Sequence, residues 1–102
     1  MGDLCREINK LGKGIGNTAR YRILESLKDS PKMVGQLAKV AKVSQPAVSQ
    51  HLKTLKECDL VYDVKEGSAV VYHLNISHML GLLNKLGTTL QKPTKNKNKL
   101  KK

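Results

Sequence analysis

Gln45, Ser49, Gln50, Lys53 and Thr54 lie in one short stretch and carry amide, hydroxyl and ammonium groups. A glutamine amide can pair with the edge of adenine, a hydroxyl serves as an adaptable donor or acceptor, and an ammonium neutralises phosphate. That is chemistry for reading a nucleic-acid duplex. Val48, Leu52 and Leu55 are interleaved with these residues at i, i+4 and i+7, so a helix gathers them into one apolar stripe and turns the polar set outward. Ser44 precedes the run as an N-cap, and Pro46 falls in the first turn, where a missing N–H costs little. His51 lies beside the apolar stripe, either packed against the core or reaching DNA. Lys65, further along, is a candidate for a phosphate or the minor groove. By residue type alone, a solvated helix face and a groove-reading face stand about level.

The thiols are the other reactive groups. Cys5 and Cys58 are too few for a secreted disulfide framework. Cys58 falls three residues after Leu55, on the flank of the stripe, where a small buried hydrophobe suffices. Cys5 sits at the edge of an apolar stripe in the first helix, and Arg6 beside it would favour a thiolate if the two meet in space. The pair is therefore held as redox candidates. No Gly-rich phosphate loop, paired-carboxylate constellation or Ser/His/Asp arrangement stands out, so an enzyme is not expected and no cofactor is assigned.

The elements that position these residues are legible from period and punctuation. Leu4, Ile8, Leu11 and Ile15 form a helical stripe, interrupted by Gly12, Gly14 and Gly16, which predicts a helix ending near Leu11 or Gly12. Asn17 or Thr18 caps a second helix, TARYRILESLKD, with Ala19, Ile23 and Leu27 inward and Ser30-Pro31 after it. A third helix spans about Val34 to Ala41 and buries Leu37, Ala38 and Ala41. The turn Lys42-Val43-Ser44 leads into the polar-faced helix, and Asp59 sits where that helix reverses, at a position suited to left-handed backbone. The period then changes: LVYDVK and AVVYHL flank Glu66-Gly67-Ser68, which predicts a β-hairpin whose inward face the sequence leaves open. Asn75 or Ser77 caps a last helix, HMLGLLNKLGTTLQ, with Met79, Leu82, Leu83, Leu86 and Leu90 on one face, widened by Leu80. Gly81 and Gly87 each cost about 1 kcal/mol relative to alanine, so this apolar helix needs a packing partner. The first helix is the obvious one, and together they can hold a two-fold dimer interface.

At 102 residues without Phe or Trp, the chain is one domain with a modest aliphatic core, for which oligomerisation is a natural supplement. Its net charge is +11, but six lysines lie between Lys92 and Lys102, and the remainder carries only +5. Residues 1–91 therefore read as the folded domain and 92–102 as a basic, disordered tail. Such an excess suits nucleic acid or an anionic membrane surface. No apolar run approaches a membrane span and the N-terminus lacks a signal-peptide pattern, so no membrane role is expected and the cytoplasm is the default.

Helix, helix, helix-turn-helix, hairpin, helix is a winged-helix order, mainly α with a β-hairpin wing. Three stretches in sequence, LGKGIGNTARYRILESL, VGQLAKVAKVSQPAVSQHLKTLKECDLV and KEGSAVVYHL, resemble the ArsR/SmtB family of small dimeric repressors, and the likeness runs from about Leu4 to Leu90. It implies a homodimer, joined through the first and last helices, whose recognition helices enter successive major grooves of double-stranded DNA. It also implies DNA contacts from Ser44, Gln45, Ser49, Gln50, His51, Lys53, Thr54 and Lys65, although Glu66 and Ser68 make the wing tip less basic than in relatives. Many relatives release DNA on binding metal. The positions matching one family site are Met33 and Gln36, and those matching the other are Ile76, His78, Thr89 and Lys92. Only His78 is a ligand type, and it reads as an exposed first-turn residue. Both family metal sites are expected to be lost, and no metal ligand is assigned. The expected function is a sequence-specific, homodimeric repressor of unknown effector. An architectural or non-specific DNA binder and a thiol-responsive repressor using Cys5 and Cys58 are the alternatives.

Overall fold

A computed structural model describes residues 3–91. The lysine-rich segment expected to form a disordered tail lies outside the described residues. The elements follow in the order α1 (Leu4–Ile15), α2 (Thr18–Leu27), α3 (Val34–Ala41), α4 (Gln45–Glu57), β1 (Val61–Glu66), β2 (Ala69–Leu74) and α5 (Ile76–Leu90).

α1 begins where the Asp3 carboxylate accepts the Cys5 N–H at 3.1 Å. It does not stop at Leu11 or Gly12, as the glycines predicted, but continues to Ile15. Two features explain the difference. A Cβ on Gly14 would overlap Leu60 Cδ1, so this glycine is a point of close helix packing, not a breaker. The end of the helix is also held by Arg20, whose Nε donates to Gly14 O at 3.1 Å and whose Nη2 donates to Lys13 O at 2.7 Å. A guanidinium on the free carbonyls of a helix C-terminus satisfies acceptors and favours the helix dipole. Asn17 fixes Arg20 in turn, its Oδ1 accepting the Arg20 N–H at 3.0 Å as the N-cap of α2.

α2 ends at Leu27, two residues short of the expected Asp29, and buries Leu24 with Ile23 and Leu27, while Ala19 is only half-buried. In α3, Leu37 and Ala41 are buried and Ala38 is partly so. Its first turn is closed by Gln36, whose Oε1 accepts the Met33 N–H at 2.9 Å. Lys42 turns the chain with φ of +61°, and Ser44 Oγ then accepts the Ala47 N–H at 3.3 Å to start α4.

α4 closes as a Schellman motif. Leu60 N–H donates to Leu55 O at 2.9 Å and Asp59 N–H to Lys56 O at 3.0 Å, with Asp59 left-handed at φ +64°. The apolar contact that accompanies this motif is present, since Leu55 and Leu60 are both fully buried. The core gathers Leu11, Ile23, Leu24, Leu27, Leu37, Val48, Leu52, Leu55, Leu60 and Leu82 from all five helices and the chain entering the hairpin.

β1 and β2 pair antiparallel, from Val61 opposite Leu74 to Glu66 opposite Ala69. β1 starts one residue later than expected and Glu66 joins it, so the turn shrinks to Gly67-Ser68, with Gly67 at φ +66°. Only Val61 in the hairpin is buried, which resolves the open question of its face: the root is anchored and the rest stands out as a wing. Lys32 secures the root by exchanging backbone hydrogen bonds with Tyr72 at 2.8 and 3.1 Å. α5 starts at Ile76, two residues earlier than predicted, and Asn75 occupies the cap position without capping. Its amide Nδ2 instead donates to Asp59 O at 2.9 Å, tying the start of α5 to the end of α4.

α5 packs against α1, as the two apolar stripes implied. The pair does not consume its own apolar surface. Leu82 is buried, whereas Leu80, Leu83, Leu90, Ile76 and Ile15 remain exposed.

Candidate nucleic-acid interface

α4 is split lengthwise by burial. Val48, Leu52 and Leu55 lie in the core, while Gln45, Ser49, Gln50 and Lys53 project from the opposite side and are exposed. Thr54 is half-buried along the edge. Ser44 is exposed, but its hydroxyl is committed to the cap, which leaves its spare lone pair and proton for an outside partner. Four polar side chains on one face of a rigid, thirteen-residue helix can hydrogen-bond a groove without any rearrangement of the core.

His51 sits lower than that face. It is half-buried, and desolvation, reinforced by the nearby Arg20 guanidinium, pushes its imidazolium pKa below the ordinary value. A neutral imidazole is therefore favoured, which suits packing or hydrogen bonding better than charge neutralisation of a phosphate. On the wing, Lys65 is exposed, but so are Glu66 and Ser68. Lys56, at the end of α4, is held by Asp63 of β1 at 3.1 Å, an ion pair that couples the helix to the wing and occupies one ammonium. Tyr62 and His73 stack across the hairpin with ring centroids 5.0 Å apart.

The two thiols occupy different settings. Cys5 is exposed on α1, whereas Cys58 is buried at the end of α4. Burial pushes the Cys58 thiol up, and the neighbouring Lys13, Arg20 and Lys10 charges only partly oppose this. Cys58 is thus a small core residue and a poor nucleophile, as its spacing from Leu55 predicted.

The positions matching the family metal sites offer little. Met33 and Gln36 are exposed and the Gln36 amide already serves the start of α3. Ile76 and Thr89 are exposed non-ligands, and Lys92 lies outside the described residues. A thioether, an amide, an alkyl group and a hydroxyl do not fit a transition-metal ion that calls for thiolate, imidazole or carboxylate. His78 departs from its expected exposed setting: it is half-buried, with Nε2 facing Glu7 at 3.7 Å. Arg20 and the grouping of Glu7, Asp59 and His78 were not singled out by sequence. The only sequence signal for Arg20 was its place three residues after Asn17, and the other three come from separate elements with no common spacing.

A family model described as bacterial regulatory protein, arsR family, matches residues 17–63, which span α2 to the start of the wing. The chain is 32% identical over 85 residues to the transcriptional repressor SdpR of Bacillus subtilis, covering 76% of this chain and 94% of that one. It is 38% identical over 77 residues to the transcriptional activator HlyU of Vibrio cholerae, covering 72% and 71%. The solved HlyU structure superposes with a TM-score of 0.67 over 84% of this chain and 97% of that one, at 35% identity. A homodimeric winged helix-turn-helix domain of Mycobacterium bovis, 22% identical, shares the fold with a TM-score of 0.69 over 88% and 87% of the two chains.

Proposed function

The chain belongs to the arsR family of bacterial regulatory proteins and is a DNA-binding transcriptional regulator, and from that premise we propose that it is a homodimeric, sequence-specific repressor acting in the cytoplasm. The observation that carries this reading is the division of α4 between a buried aliphatic stripe and an exposed face of Gln45, Ser49, Gln50 and Lys53. Gln45 and Gln50 are assigned to base edges, Ser44, Ser49, Lys53 and Thr54 to positioning on phosphates, and Lys65 to the backbone beside the groove. His51 contributes packing at the edge of the contact.

The dimer is assigned to α1 and α5. Exposed Ile15, Leu80 and Leu83 are an unusual set for free surface, and a two-fold axis through them buries apolar area that a small aliphatic core needs. Two recognition helices would then meet successive major grooves, with half-site centres about 10 bp apart. Relatives include a named repressor and a named activator, and the choice of repressor follows the one that the chain covers more completely. Both usual family metal sites are read as lost, because their positions hold non-ligands apart from His78.

A footprint on the DNA upstream of the protein's own gene tests this. The full chain and a version lacking residues 92–102 should protect the same two-half-site sequence, the shorter one with lower affinity and a shallower salt dependence. Complete loss of protection on removing the tail would favour a non-specific, architectural binder instead.

A further inference from the structure

Glu7 of α1, Asp59 at the close of α4 and His78 in the first turn of α5 each place one donor atom within 4.8 Å of the others. The three come from elements far apart in sequence, and the Schellman turn and the Asn75 bridge fix two of them relative to each other. The central contact is unusual. Glu7 Oε1 and His78 Nε2 face each other at 3.7 Å, too far for a hydrogen bond. Both atoms are sealed from solvent and have no hydrogen-bond partner among the described residues. When the imidazole is neutral with its proton on Nδ1, two lone pairs confront each other across a dry gap. Buried acceptors left in this way cost free energy unless positive charge enters between them.

Lys10 supplies charge only at the margin. Its Nζ lies 3.8 Å from Glu7 Oε2 and 3.6 Å from Asp59 Oδ2, on the opposite oxygen of Glu7 from the one facing His78. We infer that Glu7, Asp59 and His78 form a binding site for a divalent transition-metal cation of the zinc class, and that its occupancy couples the recognition helix to the α1–α5 face. Two carboxylates and one imidazole are a three-ligand set that leaves one position for water. Donors around a tetrahedral ion with bonds of about 2.1 Å lie about 3.4 Å apart, so the Glu7–His78 pair needs little movement and the carboxylates a modest rotation. The ion would displace Lys10, exchanging a single charge at the edge for a double charge at the centre. The site shares only His78 with the positions matching the family's last-helix site, and it lies within one chain. Its coupling to DNA rests on the proposed reading of α4: Asp59 directly follows that helix, and Glu7 and His78 belong to the helices assigned to the dimer.

The test uses the full, untagged chain and Co²⁺ as a spectroscopic stand-in, with Zn²⁺ in competition. Saturable visible absorption at one Co²⁺ per chain, reversed by Zn²⁺, is expected. Glu7→Gln and His78→Gln should each weaken binding at least tenfold with an unchanged circular dichroism spectrum, and Lys10→Gln should tighten it. Absence of saturable binding below 1 mM, or binding that Glu7→Gln, Asp59→Asn and His78→Gln leave untouched, would overturn the site. For the coupling, operator affinity is compared in chelator-treated and Zn²⁺-loaded protein. An at least fivefold change in wild type that disappears in His78→Gln supports it, and equal affinities overturn it. Failure to bind DNA in either state would count against the reading of α4, while the cobalt result would still decide the metal site.

Discussion

Replacing Gly14 and Gly12 separately by alanine isolates the contact that lets α1 run past its glycines. Both positions are helical, so each substitution gains about 1 kcal/mol from the removal of glycine's backbone freedom. At Gly12 a new methyl group meets nothing within 4 Å, and that gain is expected in full. At Gly14 the same methyl runs into Leu60 Cδ1 and comes within 3.4 Å of Leu55 Cδ2, two side chains already fully buried. Overpacking of this kind costs about 1–3 kcal/mol. The Gly14 variant should therefore fall below the Gly12 variant by about 1–3 kcal/mol, a difference from which helix propensity cancels. For a domain of this size that is a gap of roughly 4–20 °C in Tm. Urea melts at one fixed protein concentration are the assay, because dissociation of a dimer is linked to unfolding. Gly14→Ala equal to or more stable than Gly12→Ala would refute the close approach of α1 to the end of α4.

Three further outcomes follow from the same geometry. Arg20→Ala should destabilise the fold by about 1.5 kcal/mol, the low end for charge-assisted hydrogen bonds, since the guanidinium is only half-buried. Amide exchange should show the loss concentrated at Lys13–Ile15. Because the folded state lowers the His51 pKa, the unfolded chain binds a proton first as acid is added. The stability due to a neutral His51 is present above about pH 6.5 and declines as the pH falls through that value, and His51→Gln should flatten this part of a urea-midpoint profile. Leu83→Glu should convert the proposed dimer to a monomer in light scattering and weaken operator binding, with the helical content retained.

Much of the fold was legible because local chemistry and tertiary packing agree. Ser44, Pro46 and the Val48, Leu52, Leu55 stripe predict α4, and Asp59 predicts its reversal, since caps and periods act over a few residues. The errors arise where a distant residue changes what a local signal means. Gly12 and Gly14 read as a stop, yet Leu60 and Arg20 act from more than one element away to keep α1 helical. Asn75 reads as a cap because its type suits one, but Asp59 O draws its amide elsewhere. The exposed polar face of α4 was visible from spacing alone. The approach of Glu7, Asp59 and His78 was not, because no periodicity within one element relates residues contributed by three.

Whether the outer face of α4 reads DNA sequence is decided by the binding of Gln50→Ala and Lys53→Ala to a footprinted operator and to its single-base variants. Gln50→Ala should cost about 1–3 kcal/mol on the intact operator and relax base preference at one position in each half-site. Lys53→Ala should weaken all sequences about equally and reduce the salt slope by about 1 for each phosphate that the lysine neutralises. Wild-type affinity, base preference and salt slope in both variants would contradict the assignment of α4 as the recognition helix.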